Sequence, residues 1–154
     1  MPLHFRTMKD SEAEAVSRLI QRTFQRFIAA DYTSRGRRCF LKNTSKRAIL
    51  RRKRKNQLLI VAEDNHTISG LVVVRKGNHI SLFFVAPEFH RRGIGTRLFR
   101  EALDRMKAAM PDLGNITVNS SEFALPFYTK LGFVAKRSAY YRRGMKITPM
   151  ELQL

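Results

Sequence analysis

Residues His90 to Phe99, HRRGIGTRLF, carry residue types at a spacing that can hold a phosphate group. Gly93 and Gly95 have no side chain, so the backbone N–H groups around Ile94 can turn together toward one anion. A helix beginning near Thr96 adds the positive end of its dipole. Arg91 and Arg92 place full charges at the same turn. No Lys follows the last glycine, as a nucleotide-hydrolysing P-loop requires, and one glycine is missing from the dinucleotide fingerprint. The diphosphate of some other cofactor is the better candidate. Taken alone, a two-glycine turn is also what an ordinary basic strand-to-helix connection looks like.

The flanking elements position this turn. Upstream, HISLFFV at His79 to Val85 is rich in β-branched and aromatic residues and reads as a strand, ended by Pro87. Downstream, Leu98, Phe99, Ala102, Leu103, Met106 and Met110 recur at helical spacing, with Arg97, Arg100, Glu101 and Lys107 on the other face and Pro111 as the stop. Earlier in the chain, Leu3 to Arg6 reads as a strand. Ser11 and Glu14 are spaced as a capping box for a helix whose apolar face includes Ala15, Leu19, Ile20, Phe24 and Phe27. A less regular, helical segment runs to Lys55. Leu58 to Glu63 and Ile68 to Arg75 form a hairpin through Asp64 to Thr67, and Lys76 to Asn78 turns the chain into the strand ending at Val85. After the long helix, Ile116 to Asn119 is a strand, with Asn119 and Glu122 placed to cap a helix that has Pro126 in its first turn and ends at Gly132. Val134 to Lys136 and Met145 to Leu152 close the pattern as strands.

The order strand, HRRGIGTRLF, helix, strand, then FYTKLGF at Phe127 to Phe133 resembles the GNAT superfamily of acetyl-CoA-dependent N-acetyltransferases. The resemblance runs from Leu3 to Leu152. It implies an α+β fold over residues 1–154 as one domain: a mixed, mostly antiparallel sheet of about seven strands with helices on both faces and a splayed parallel strand pair. His90 stands where that family usually has Gln or Arg. The loop of the family works mainly through backbone N–H groups, assigned here to His90, Arg91, Arg92, Gly93, Ile94, Gly95 and Thr96. Freed backbone groups near the end of the preceding strand give Phe84 and Val85 a role toward the pantetheine arm, with Asn119 bordering the same groove. Tyr128 matches the tyrosine that sits near the coenzyme sulfur.

Acyl transfer to an amine needs a polarised carbonyl, a neutral amine and a stabilised departing thiolate. A phenol near ~10 giving its proton to a thiol near ~8.5 is uphill by ~2 kcal/mol, so Tyr128 is expected to donate a strong hydrogen bond rather than a whole proton. For the base, His79 lies six residues before Val85, on the same face of a strand without a bulge, where some members of the family carry Glu. An imidazole near ~6.5 can accept the proton directly or through a water held by Ser81. A histidine that contributes only polarity at a hairpin mouth is the equal alternative. His4, His66 and Cys39 show no metal-ligand spacing, and no metal is expected.

Thirty Lys and Arg against 12 Asp and Glu give a net charge of +18. Between Asp31 and Glu63 there is no acidic residue, while Arg35, Arg37, Arg38, Lys42, Lys46, Arg47 and the RRKRK run at Arg51 to Lys55 fall in that interval. Such a wall repels cationic acceptors and attracts acidic ones. The expected acceptor is therefore an acidic or phosphate-bearing amine, or a protein docked on RNA. The competing reading makes residues 35–55 a non-specific nucleic-acid contact on a GNAT scaffold whose coenzyme binding is regulatory or vestigial. Only Tyr32 and Phe40 are available there to stack bases, so specific recognition is not indicated.

At 154 residues and 44% hydrophobic content the chain can bury one substantial core. A lone cysteine, Cys39, excludes an intrachain disulfide and suits a reducing, cytoplasmic compartment. Asp10, Glu12 and Glu14 precede any apolar run, against a secretory leader, and no apolar stretch is long enough for a membrane span. A monomer and a homodimer both remain open.

Overall fold

The computed structural model describes residues 3–154. Its elements are β1 (Leu3–Thr7), α1 (Ala13–Phe27), α2 (Ser34–Asn43), α3 (Lys46–Arg54), β2 (Leu58–Asp64), β3 (Thr67–Arg75), β4 (His79–Val85), α4 (Ile94–Ala109), β5 (Asn115–Ser120), α5 (Leu125–Leu131), β6 (Val134–Ala135), β7 (Tyr140–Arg142) and β8 (Met145–Gln153). The fold is α+β with a mixed sheet in the order β1-β2-β3-β4-β5-β8-β6, and β7 pairs with the start of β8.

Strands β2 and β3 are apolar at nearly every position because both faces are covered. Leu59, Val61, Leu71 and Val73 pack with α1 and with Ile49 of α3 on one face. Ile60, Ala62, Val72 and Val74 pack with α4 and α5 on the other. Among the described residues only one pair, β4 and β5, runs parallel; every other pairing is antiparallel.

Several local expectations are corrected. Ser11 and Glu14 do not form a capping box: a short turn over Asp10–Glu12 precedes α1, and it is Glu12 that accepts the Lys9 N–H, at 2.8 Å. Glu12 is held there by a bidentate pair with Arg6, at 2.7 and 2.8 Å, whereas Glu14 pairs with Arg18 on the surface. Along α1, Val16 is buried and Ala15 is exposed, so Val16 and not Ala15 belongs to the apolar face. Asn119 is a residue of β5, not a cap; Ser121 Oγ accepts the Ala124 N–H before α5 instead. Met110 follows the end of α4 and is exposed.

The sheet has an eighth strand, β7, beyond the seven that the sequence pattern predicts. It forms because Arg143 and Gly144 both take positive φ, 52° and 81°, and make a tight two-residue hairpin between Arg142 and Met145. An arginine in the first turn position hides a signal that Asn or Asp would have displayed.

Candidate active site

Strands β4 and β5 pair only where His79 meets Thr117 and Ile80 meets Val118. Beyond that point β4 runs on to Val85 and β5 to Ser120 with no pairing between them, so the sheet opens. A cleft of about 1690 Å³ follows the opening and is lined by residues of both faces. One small ligand commonly occupies roughly 300–1,000 Å³, so this cleft has space for a donor and an acceptor together.

At one end the chain approaches α4 through the glycine turn. Gly93 adopts the left-handed conformation, φ 75°, and Arg91 also has positive φ, 65°. No side chain caps α4. Its first-turn amides, which have no acceptor inside a helix, are therefore available to an anion, and the residues present suit a diphosphate. His90 Nε2 donates to the Val85 carbonyl at 2.7 Å and ties the turn to the end of β4. The His90 ring packs beside Phe27 and Phe123.

Gly95 has a second reason to be glycine. A Cβ there would lie 3.0 Å from the Phe127 ring, so its absence lets α5 approach α4. That approach seats Tyr128, 4% exposed, among Phe83, Phe127 and Phe133. Burial pushes the Tyr128 phenol above its usual range.

A family model described as an acetyltransferase (GNAT) domain matches residues 28–154. This chain belongs to the GNAT acetyltransferases. Solved structures with the same fold include a GCN5-related N-acetyltransferase from Rhodopseudomonas palustris, 22% identical, covering 100% of this chain and 97% of that one with a TM-score of 0.83. A PaiA N-acetyltransferase from Thermoplasma acidophilum, solved in complex with coenzyme A, is 18% identical, with 100% of both chains covered and a TM-score of 0.82. An N-acetyltransferase from Staphylococcus aureus Mu50 is 14% identical, with 99% of both chains covered and a TM-score of 0.71. No helix among the described residues is long and apolar enough to cross a membrane.

Within the GNAT cleft, the sequence-derived residues are almost all brought together. Phe84, Val85, His90, Arg91 and the run Gly93, Ile94, Gly95, Thr96 line it, as do Asn119, Tyr128 and His79. Arg92 is not among the lining residues; its guanidinium lies over the Phe89 ring, 5.3 Å from the centroid.

His79 does not share a face with Val85. The register between β3 and β4 shifts between Val73 and Val74, which leaves Ser81 as the extra residue of a bulge. Ile80 packs with Phe83 and Val85 on the α4 side, so His79 turns to the α1–α3 side. There its Nδ1 lies 2.7 Å from Thr117 Oγ1. Burial, with Arg75, Lys76 and Arg142 nearby, lowers its pKa from 6.5 to about 4, so the ring is neutral near pH 7.

The wall on that side is cationic. Arg51 and Arg52 from α3, Lys55 just after it, Arg75 at the end of β3, and Arg142 and Arg143 at the β7–β8 turn all line the cleft, and among the described residues no Asp or Glu does. The basic run of α3 was visible in the sequence. Arg75 and Arg142 were missed, because a strand-end arginine carries no signal of where the opposite strand will part.

Proposed function

We propose that this chain is an N-acetyltransferase that moves acetyl from acetyl-CoA to a primary amine on an acceptor bearing negative charge, with both substrates held in the cleft at once. The single observation that carries this reading is the opening between β4 and β5, which has uncapped helix amides at one end and a carboxylate-free cationic wall at the other. Bound acetyl-CoA supplies a thioester, an acetyl donor whose thiolate can leave.

The chain's own residues then have distinct tasks. The amides of Gly93 to Thr96 grip the diphosphate, with Arg91 adding charge. Phe84 and Val85 offer backbone groups at the parted edge of β4 to the pantetheine arm, and Asn119 borders the same path on β5. Tyr128, kept protonated by burial, donates a hydrogen bond to the departing sulfur; giving up its proton is even less favourable than for an ordinary phenol. His79 is neutral and oriented by Thr117, so it offers its other nitrogen to the amine or to a water; with a pKa of about 4 it positions that proton and is a weak base for it. The acceptor's own pKa therefore controls how much neutral amine is present.

A second reading is favoured by the outer surface of α2 and α3. Arg35, Arg38, Lys46, Arg47 and Arg54 are exposed and take part in no ion pair among the described residues. This surface suits a salt-sensitive, sequence-independent contact with nucleic acid, with residues 35–55 as the contact.

The test is thiol release from acetyl-CoA across acidic, neutral and cationic amines, with Tyr128→Phe alongside. Turnover with an acidic amine that drops about 10- to 100-fold in the variant, with coenzyme affinity unchanged, is the expected result. Coenzyme binding without turnover of any amine would favour the nucleic-acid reading.

A further inference from the structure

Arg52 and Arg75 both line the cleft, and among the described residues no Asp or Glu lines it to balance them. Arg52 on α3 is anchored only to neutral oxygens: Ser81 Oγ at 3.2 Å and the Asn43 carbonyl at 3.2 Å. Ser81 is available because the β4 bulge makes it the extra residue, and its own hydroxyl donates to the Val73 carbonyl at 3.3 Å. Arg75, at the end of β3, has its Nε buried without any hydrogen-bond partner. Burial and the charge of Arg75 both lower the Arg52 pKa. Arg142 approaches the same place from the β7–β8 turn, near His79.

None of these three arginines takes part in an ion pair among the described residues, although the molecule forms eight elsewhere. An unpaired buried guanidinium N–H costs free energy that a hydrogen-bonding anion recovers. The charge of Arg75 acts on Arg52, and the same anion relieves that repulsion. A planar guanidinium fork is shaped for carboxylate and phosphate oxygens.

We propose that Arg52 and Arg75, with Arg142 beside them, form a subsite for the anionic oxygens of a small acceptor, so that the acceptor is an amine carrying a carboxylate or a phosphate on its own skeleton. The proposal rests on the acetyltransferase reading for what happens to the amine, but the subsite itself is a binding property. His79 stands opposite Arg75 in the β3–β4 pairing, and Ser81, which holds Arg52, follows the last residue of β4 that pairs with β5, so an anchored anion places the rest of the acceptor at the start of the strand opening. The subsite lies inside the cleft, separate from the exposed cations on the outer side of α2 and α3.

Matched pairs of amines test this by calorimetry on the coenzyme-A-saturated protein at fixed ionic strength. The pairs are O-phosphoethanolamine with ethanolamine, and β-alanine with propylamine. Saturation with coenzyme A fills the glycine turn, so a second anion site is read on its own. The expected result is that the anionic member of at least one pair binds about tenfold tighter or more. That preference should vanish in Arg75→Gln and in Arg52→Gln and persist in Arg54→Gln, which removes the same charge outside the cleft. Whichever pair shows it tells phosphate from carboxylate. Equal binding within both pairs, tighter binding of the neutral members, or a preference that survives both glutamine variants overturns the subsite. Coenzyme affinity, read in the first step, tests the other reading separately: a protein that fails to bind coenzyme A but keeps an Arg52- and Arg75-dependent preference loses the acetyltransferase reading and keeps the subsite.

Discussion

Gly36 of α2 lies flush against the carbonyl of Gly144 in the β7–β8 turn, with no space for a side chain on either residue. Thr33, the N-cap of α2, locks the contact: its N–H donates to the Gly144 carbonyl at 2.9 Å and its hydroxyl accepts the Gly36 N–H at 3.1 Å. The contact closes the cationic side of the cleft by joining the helix layer to the hairpin that carries Arg142 and Arg143.

Replacing Gly36 by Ala forces the hairpin away from α2. Overpacking of this kind costs about 1–3 kcal/mol, which urea unfolding would register. At denaturant-free conditions the acceptor KM should rise while acetyl-CoA affinity holds, since the glycine turn lies at the other end of the cleft. An unchanged KM would show that the hairpin does not shape the acceptor site.

The two glycines of the turn should separate experimentally. A Cβ on Gly93 meets nothing within 4 Å, but φ is 75°, so Gly93→Val suffers through the backbone. The left-handed conformation costs a residue with a Cβ about 1–2 kcal/mol, and escaping it unmakes the amide array. Acetyl-CoA affinity should fall about tenfold or more by calorimetry. Gly95→Ala instead presses on Phe127, so its expected effect is on kcat through Tyr128, with a smaller change in affinity.

Tyr128→Phe removes a hydrogen-bond donor and no packing. Folding stability should change by less than about 1 kcal/mol in thermal or urea unfolding. Because burial holds the phenol above its usual range, the wild-type kcat profile should show no phenol ionisation up to about pH 10. A limb near pH 10 that disappears in the variant would contradict the hydrogen-bond role.

How much of this site was legible in the sequence depended on whether short-range pattern controlled the feature. The strand before the turn, HRRGIGTRLF and the Phe127 to Phe133 segment were legible because glycine, apolar spacing and proline act locally. The face occupied by His79 was not, because it depends on a bulge at Ser81 set by the pairing of β4 with β3. Capping was misread at Ser11 for a similar reason: Glu12 answers to Arg6, which also pairs with Glu63 of β2, so a tertiary contact chose the helix start. Arg75 and Arg142 acquire their significance only when β3 and the β7–β8 turn are placed opposite α3.

His79 gives a pH dependence of defined sign. Its pKa is about 4 in the folded chain against 6.5 ordinarily, so on acidification the unfolded chain binds the proton first. The stability associated with the neutral ring is complete above the ordinary pKa and is lost as pH falls toward about 4. The ring is partly exposed, so solvent screening limits the amplitude to roughly 1 kcal/mol. Urea unfolding at pH 7 and pH 4.5 should show this difference, and His79→Gln should shrink it. NMR titration of the imidazole near pH 6.5 would contradict the assignment.

The central claim is that the start of α4 grips the diphosphate of acetyl-CoA with main-chain amides. A crystal structure of the complex tests it most directly. The diphosphate oxygens should lie about 2.7–3.2 Å from backbone nitrogens in Gly93 to Thr96, with the sulfur beside Tyr128. A coenzyme bound with its diphosphate elsewhere, leaving those amides to solvent, would contradict the account.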